Sequence, residues 1–483
     1  MAKPANMLVI MSDEHNRKAM GHAGHPVART PSLDALAGQG TSFTAAYTPS
    51  PICVPARGAF ITGQPVHRSR CWDNAIAYDG RMRSWAHELR ARGHHVAAIG
   101  KLHFQGHAGE DYGFSETMLP MQITNGTGDV TMLIRDLDDV RETAAKKLLA
   151  QSGSGESEYT IYDRKVAAAA QTWLRQTAPK HRDKPWVLFV SMVAPHFPLT
   201  APPEHYYRYA DAALPRPKLW DAPVEERLPH PWLRGYGHRS GHYAHFRGES
   251  DLQRALAGYY GLVSFMDENV GKILAALEAA GLGGETRVVY TSDHGDNLGT
   301  RGLWGKCTMY EESAAVPLIM AGPGVPRGGA NGTPVTLCDV AATILDGVGA
   351  RDAIATLDLP GTSLLDLTGR PDQDLAALSQ LHTYCPDGVF MLRTRRHKYI
   401  HYLNAKPQLY DLETDPEELH DLAGDPANAD LLATLEARLR ALVDPEGTDA
   451  TAKRDQANMI AKHGGEAVIR QKERMAYTPP PAA

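Results

Sequence analysis

Cysteine is scarce in this chain: five residues in 483, at positions 53, 71, 307, 338 and 385. An odd number at such wide spacing does not make a disulfide framework, so stability must come from the core. Long apolar runs are missing too. Nothing approaches the roughly 20 residues that cross a bilayer. The short run Met7-Leu-Val-Ile-Met11 has neither the length nor the small-residue cleavage site of a secretory signal. The expectation is a cytoplasmic protein with no membrane partner. A charge excess is also lacking: 50 Lys and Arg stand against 56 Asp and Glu, a net −6. That balance argues against nucleic acid or an anionic membrane as a partner. Any anionic substrate must meet positive charge gathered locally. Internal repeats and low-complexity arrays are absent as well.

What is present fits a soluble globular protein, with 43% hydrophobic and 22% charged residues. The length suits one large domain and a smaller one. The first apolar run ends in Ser12-Asp13-Glu14-His15, which reads as a buried strand carrying acids at its C-terminal end. Thr30 to Ala37 reads as a helix with Pro31 in its first turn. Ser84 to Arg92 is predicted helical and closed by Gly93, with a strand over His95 to Gly100. Trp186 to Ala194 and Arg287 to Ser292 read as further buried strands, the latter running into Asp293-His294. Between them Gln253 to Ala280 makes a long helix. Strands alternating with helices predict an α/β domain with a largely parallel sheet between helices. Sites in such sheets lie beyond the carboxyl ends of the strands, where Asp13 and Asp293 fall.

The texture changes after Gly361. Val389–Arg393, Lys398–Tyr402 and Gln408–Asp411 read as short antiparallel strands, and Leu431 to Leu442 as a helix. The expected division is a catalytic domain over 1–370 and a small C-terminal α+β domain over 371–445. The polar stretch 446–483, ending in Pro479-Pro-Pro481, is expected to be an extended tail that is either disordered or wraps a neighbouring subunit. A homo-oligomer, dimer or tetramer, is expected on that basis.

Pro51-Ile-Cys53-Val-Pro55-Ala-Arg57-Gly58, followed by Thr62-Gly63, contains Cys-x-Pro-x-Arg. Around it stand Asp13-Glu14, Gly100-Lys101-Leu-His103-Phe104, Ala194-Pro-His196, Asp293-His294 and Gly302-Leu-Trp-Gly-Lys306. This set resembles the formylglycine-dependent sulfatases of the alkaline phosphatase superfamily. Asp73-Asn74-Ala75 and Leu303-Trp304 bring it nearest the choline-sulfatase-like and arylsulfatase branch. The resemblance spans most of residues 6 to 420 and implies an alkaline-phosphatase-like sandwich.

It also implies that Cys53 is oxidised to formylglycine by a formylglycine-generating enzyme. An aldehyde hydrate offers two hydroxyls: one attacks sulfur, and loss of a proton from the other frees the sulfate again. Plain Cys or Ser has no second hydroxyl. The implied metal ligands are Asp13, Glu14, the residue-53 oxygen, Asp293 and His294. Their hard oxygen donors suit Ca2+, with Mn2+ or Mg2+ as alternatives. Glu14 stands where the family usually has Asp or Gln. Arg57 would support the nucleophile, Lys101 and Lys306 the sulfate oxygens, His103 would act as base and His196 as general acid, and Asn74 would contact substrate. The implied substrate is a small-molecule sulfate monoester, aryl or small alkyl. The alternative is a phosphonate monoester or phosphodiester hydrolase of the same superfamily. Glu116 to Asp136 contains no aromatic residue that could cage a quaternary ammonium, which weighs against choline sulfate. Tyr206 to Phe246, rich in Tyr, Trp and His, is expected to cover the leaving-group pocket or to meet another subunit. His22, His25, His94, His95, His238, His242 and His245 are assigned no role.

Overall fold

A computed structural model describes residues 3–140 and 142–481. Its centre is an eight-stranded sheet. The strand order is Gly329–Asn331, Gly40–Phe43, Leu318–Ala321, Thr286–Ser292, Asn6–Asp13, Val187–Pro195, Val96–Lys101 and Glu116–Met121. Leu318–Ala321 runs antiparallel to both neighbours, and the other pairings are parallel. The first strand shows why the sheet sits between helical layers. Met7, Val9 and Met11 point into one core, and Leu8 and Ile10 into another, all fully buried. The first core is closed by helices Cys53–Thr62, Trp85–Ala91 and Leu337–Gly347. The second is closed by Pro31–Gly38, Glu158–Gln176 and the 31-residue helix Glu249–Ala279.

The antiparallel C-terminal sheet has four strands, Ala377–Leu381, Val389–Arg393, His397–Tyr402 and Gln408–Asp411, with helix Ala429–Leu442 on one face. Its other face shares a core with the catalytic sheet's flank, where Tyr47, Ile52 and Leu303 meet Val389 and Ile400. No helix among the described residues is long and apolar enough to cross a membrane.

The stretch after 446 is not extended. Pro445–Lys462 and Glu466–Arg470 are helices that pack on their own chain. Asp444 caps the first, accepting from the Gly447 N–H at 3.2 Å, and Pro445 takes the first helical position. The anchors are polar, which is why hydropathy does not reveal them. Asp449 lies 2.7 Å from Arg135 and 3.2 Å from His382. Gln456 Nε2 donates to Asp73 Oδ2 and to the His382 carbonyl, each at 2.7 Å. Residues 474–478 then run along the mouth of the cavity described below.

Candidate active site

Four neighbouring strands build the site. Thr286–Ser292, Asn6–Asp13, Val187–Pro195 and Val96–Lys101 are adjacent and parallel, so their carboxyl ends share one edge. Asp293, Asp13, His196 and Lys101 therefore leave the sheet side by side, although up to 280 residues separate them in sequence. Two of the turns are unusual. Glu14, directly after its strand, and His103, two residues beyond its own, both adopt left-handed backbone, φ 65° and 56°. Such non-glycine residues cost on the order of 1 kcal/mol and persist where the surroundings fix the chain. Gly100, at φ 102°, is forced: a Cβ there would sit 2.0 Å from the Ser191 carbonyl oxygen.

Cys53 opens the helix Cys53–Thr62, which Gly63 ends in a left-handed cap. Its Sγ lies 3.1 Å from His294 Nε2, 3.2 Å from Lys306 Nζ and 3.8 Å from Asp13 Oδ1. Burial first, and Asp13 second, push the thiol up to about 12. One turn on, Arg57 projects beneath the acids. Its Nε donates to Asp293 Oδ2 at 2.9 Å, and its Nη atoms donate to Asp13 Oδ2, the Lys101 carbonyl and Ser191 Oγ, each at 2.8 Å. Lys101 Nζ is 2.7 Å from Asp13 Oδ2. Burial opposes ionisation of Asp13, yet Lys101 and Arg57 hold its carboxyl well below the usual range.

The donor set fits a divalent cation. Ligand atoms of Asp13, Cys53, Asp293 and His294 all lie within 4.8 Å of one another, as do those of Asp13, Glu14 and His196. His294 Nδ1 is 2.9 Å from the Gly295 carbonyl, which places the ring proton there and leaves the Nε2 lone pair toward Cys53. Glu14 Oε1 is buried without a hydrogen-bond partner, while Oε2 meets Lys306 at 3.0 Å and His196 at 3.1 Å. With protein partners alone, burial pushes the Glu14 carboxyl up to about 8 against the pull of Lys306. A second positive charge at this place would restore it.

Beyond Cys53 a cavity opens, walled by Lys101, His103, His196 and Lys306 together with Asn74. Both His103 ring nitrogens lack a protein partner, and burial followed by Lys101 lowers its pKa well below the ordinary value. His196 Nδ1 contacts the Phe197 carbonyl at 2.5 Å, and burial and Lys306 depress its pKa strongly. Asn74 Oδ1 accepts from the Val54 N–H at 3.2 Å, so the amide also braces the start of the Cys53 helix. Cys53, Asn74, Lys101, His103, His196 and Lys306 thus line one cavity, while Asp13, Asp293 and His294 gather at Cys53, Glu14 meets Lys306 and His196, and Arg57 lies beneath the acids. From the Tyr206–Phe246 stretch, Tyr236, Ser240 and His242 reach the cavity wall, so His242, a residue assigned no role from its motif context, lines the site. Tyr159, Tyr384 and Arg474 also line it unannounced. The short apolar run Met475-Ala-Tyr477 inside a polar tail was the one sequence signal for the last of these.

Comparison with known proteins agrees with this geometry. The family model described as Sulfatase matches residues 5–350. A model described as N-sulphoglucosamine sulphohydrolase, C-terminal, matches residues 299–444. The chain is 33% identical over 467 residues to a choline-sulfatase of Rhizobium meliloti (strain 1021), covering 94% of this chain and 89% of the relative. It is 30% identical over 464 residues to an arylsulfatase K of Danio rerio, covering 91% and 84%. Among solved structures, a phosphonate monoester hydrolase of Agrobacterium radiobacter superposes with TM-score 0.71 at 23% identity, covering 91% of this chain and 95% of that one. A protein in complex with its substrate D-glucosamine-2-N,6-O-disulfate superposes with TM-score 0.72 at 22% identity, covering 94% and 99%. These two establish the shared fold. With the family match running through the strands that carry Asp13, Lys101, His196 and Asp293, this chain belongs to the sulfatase family of the alkaline phosphatase superfamily and is a sulfuric ester hydrolase.

Proposed function

We propose that this enzyme hydrolyses sulfate monoesters of aryl or small alkyl alcohols to the alcohol and inorganic sulfate, at a formylglycine made from Cys53. The observation that carries the reading is the place of Cys53 Sγ, within 3.2 Å of both His294 and Lys306 and facing Asp13. A formylglycine-generating enzyme is the maturation partner that this requires. The cavity of about 80 Å3 supports a compact alcohol, being small beside the roughly 300–1,000 Å3 of pockets for drug-sized ligands.

Asp13, Asp293, His294 and Glu14 would hold one divalent cation, with Ca2+ favoured by the oxygen donors and Mn2+ or Mg2+ as alternatives. Such a cation makes an adjacent oxygen nucleophile more acidic and offsets the charge of the sulfate. Formylglycine, as its hydrate, supplies the attacking hydroxyl and the second hydroxyl whose deprotonation regenerates the aldehyde.

The chain's own side chains do the rest. Lys101 and Lys306, which line the cavity with residue 53, bind terminal sulfate oxygens. Arg57 pairs with Asp13 and Asp293 from beneath, so neither buried carboxylate stands without a cationic partner. His196 has Nε2 turned to Glu14 and the cavity; the negative ester beside it favours the imidazolium, which gives its proton to the departing alcohol. His103, neutral and unpartnered on both nitrogens, takes the proton lost from residue 53 as sulfate leaves.

The test begins with mass spectrometry of the peptide containing residue 53, from protein made alongside the maturation enzyme. Conversion removes one sulfur and two hydrogens and adds one oxygen. The converted enzyme is expected to turn over an aryl sulfate repeatedly, and Cys53→Ala to lose nearly all of that turnover. Full multiple turnover by Cys53→Ala would sink the reading.

A further inference from the structure

The leaving-group end of the cavity contains cationic and hydrogen-bonding groups that the reaction at Cys53 does not use. Arg474 lines the cavity from the C-terminal segment, with its side chain 11% exposed. One Nη donates to Tyr384 Oη, and the guanidinium lies 4.8 Å over the Tyr384 ring. Its Nε, buried, makes no hydrogen bond. The Asp129 carboxylate stands 3.8 Å from that Nε, near enough to temper the charge and too far to satisfy the donor. His242 lines the same wall, and its Nδ1 is likewise buried without a partner. Burial first and the Arg474 charge second lower the His242 pKa to about 3, which marks the two groups as electrostatic neighbours. A buried donor left unmade is costly, and Arg474 Nε beside an unpartnered His242 Nδ1, which is a donor in one tautomer of the neutral ring, asks for an acceptor from the substrate.

We propose that Arg474 and His242 form an anion subsite that receives a carboxylate on the alcohol half of the sulfate ester. The inference rests on the sulfate ester reading and narrows it to acidic alcohols. Guanidinium is the group suited to a carboxylate, offering charge and directed N–H donors together. Tyr384 stacks on the guanidinium and fixes it in place. The same arginine repels a quaternary ammonium. On this argument the chain differs in substrate from the choline-sulfatase to which it is 33% identical.

The experiment compares three phenyl sulfates that differ at one ring position, bearing a carboxylate, a carboxamide or a trimethylammonium group. The converted, metal-loaded full chain is expected to favour the carboxylate over the carboxamide by about tenfold or more in kcat/KM, the size of a hydrogen bond to a charged group. The trimethylammonium ester is expected to be the slowest. In Arg474→Gln the carboxylate-to-carboxamide ratio should fall to near one, and Arg474→Lys should keep part of it. Preference for the trimethylammonium ester would overturn the proposal in favour of Asp129 as the recognition group. So would a wild-type ratio near one, a measurement that needs no variant to fold. Equal loss on the carboxylate and carboxamide esters in Arg474→Gln would reduce Arg474 to a structural role. Turnover of none of the three would instead overturn the sulfate ester reading beneath, and the proposal with it.

Discussion

At the scale of single residues, the site is governed by how few positive charges serve so many buried acids. Asp13 is held by Arg57 and Lys101, and Glu14 by Lys306. In the proposed mechanism Lys101 has two tasks: it compensates Asp13, and it binds a sulfate oxygen. A sulfate monoester offers three terminal oxygens, whereas a phosphodiester offers two and a second bulky substituent. Three cationic anchors, Lys101, Lys306 and the proposed metal, would match the first and crowd the second. Lys101→Ala is expected to lower kcat/KM for an aryl sulfate by roughly 10²–10³-fold, as loss of one preorganised charge contact does. The matched aryl phosphodiester should lose less. A thermal melt of the variant separates this from the cost of leaving Asp13 with Arg57 alone. An equal or greater loss on the diester would move the assignment toward the phosphoester hydrolases of the superfamily.

Among the elements, helix Pro445–Lys462 shows how a polar segment comes to be ordered. Its buried residues include Asp449, Ala452 and Gln456, and two of the three are held by hydrogen bonds and charge rather than by apolar area. Asp449 joins Arg135, His382 and Lys453. Breaking a buried pair from one side typically costs about 3–5 kcal/mol. Asp449→Ala is therefore expected to loosen this helix and, through it, the irregular run that carries Arg474 and Tyr477. Hydrogen exchange should rise over 445–478 and stay slow in the strand Val187–Pro195, whose every residue is buried. Uniform acceleration across both would mean that the segment is no separate unit.

Across the whole molecule, one ionic cluster ties distant parts of the chain together. Glu312 meets Lys218 at 3.0 Å and Lys18 at 3.6 Å, and Lys218 also meets Glu417 at 3.1 Å. Beside it, fully buried Lys398 lies 2.7 Å from both Glu311 and Glu418. Burial opposes ionisation of Glu312, but Lys218 and Lys18 prevail and hold it at about 2. A folded pKa below the unfolded value of about 4.3 gives stability that is complete above the unfolded value. That stability is lost as pH falls toward about 2, where both states are protonated. Glu418, raised by burial, acts in the opposite sense and offsets part of the loss. The melting temperature is expected to fall between pH 5 and pH 3, and Glu312→Gln should start lower at pH 5 and fall less steeply. Identical slopes for the two proteins would remove Glu312 from the account.

What the amino-acid sequence determined by itself is the part written in local pattern. The continuous apolar run of the buried strand Asn6–Asp13, the Pro31 helix start, the long helix near 250–280 and the strand-terminal acids were all legible, because period and capping chemistry act within a few residues. Cys53, Arg57, Asp13, Asp293, His294, Lys101 and Lys306 were legible through their motifs. The strand Ala377–Leu381 was not, because its residues, Ala-Leu-Ser-Gln-Leu, include none of the β-branched or aromatic types that mark a strand. The tertiary structure alone decided which strand ends are neighbours, and so that acids 280 residues apart share one edge. It alone set Glu14 and His103 in left-handed backbone, aimed by contacts far away in sequence. It also folded the polar stretch after 446 into helices and laid Arg474 and His242 along the cavity. Those positions depend on buried polar pairs between remote segments, such as Asp449 with Arg135, and no local periodicity records such a pair.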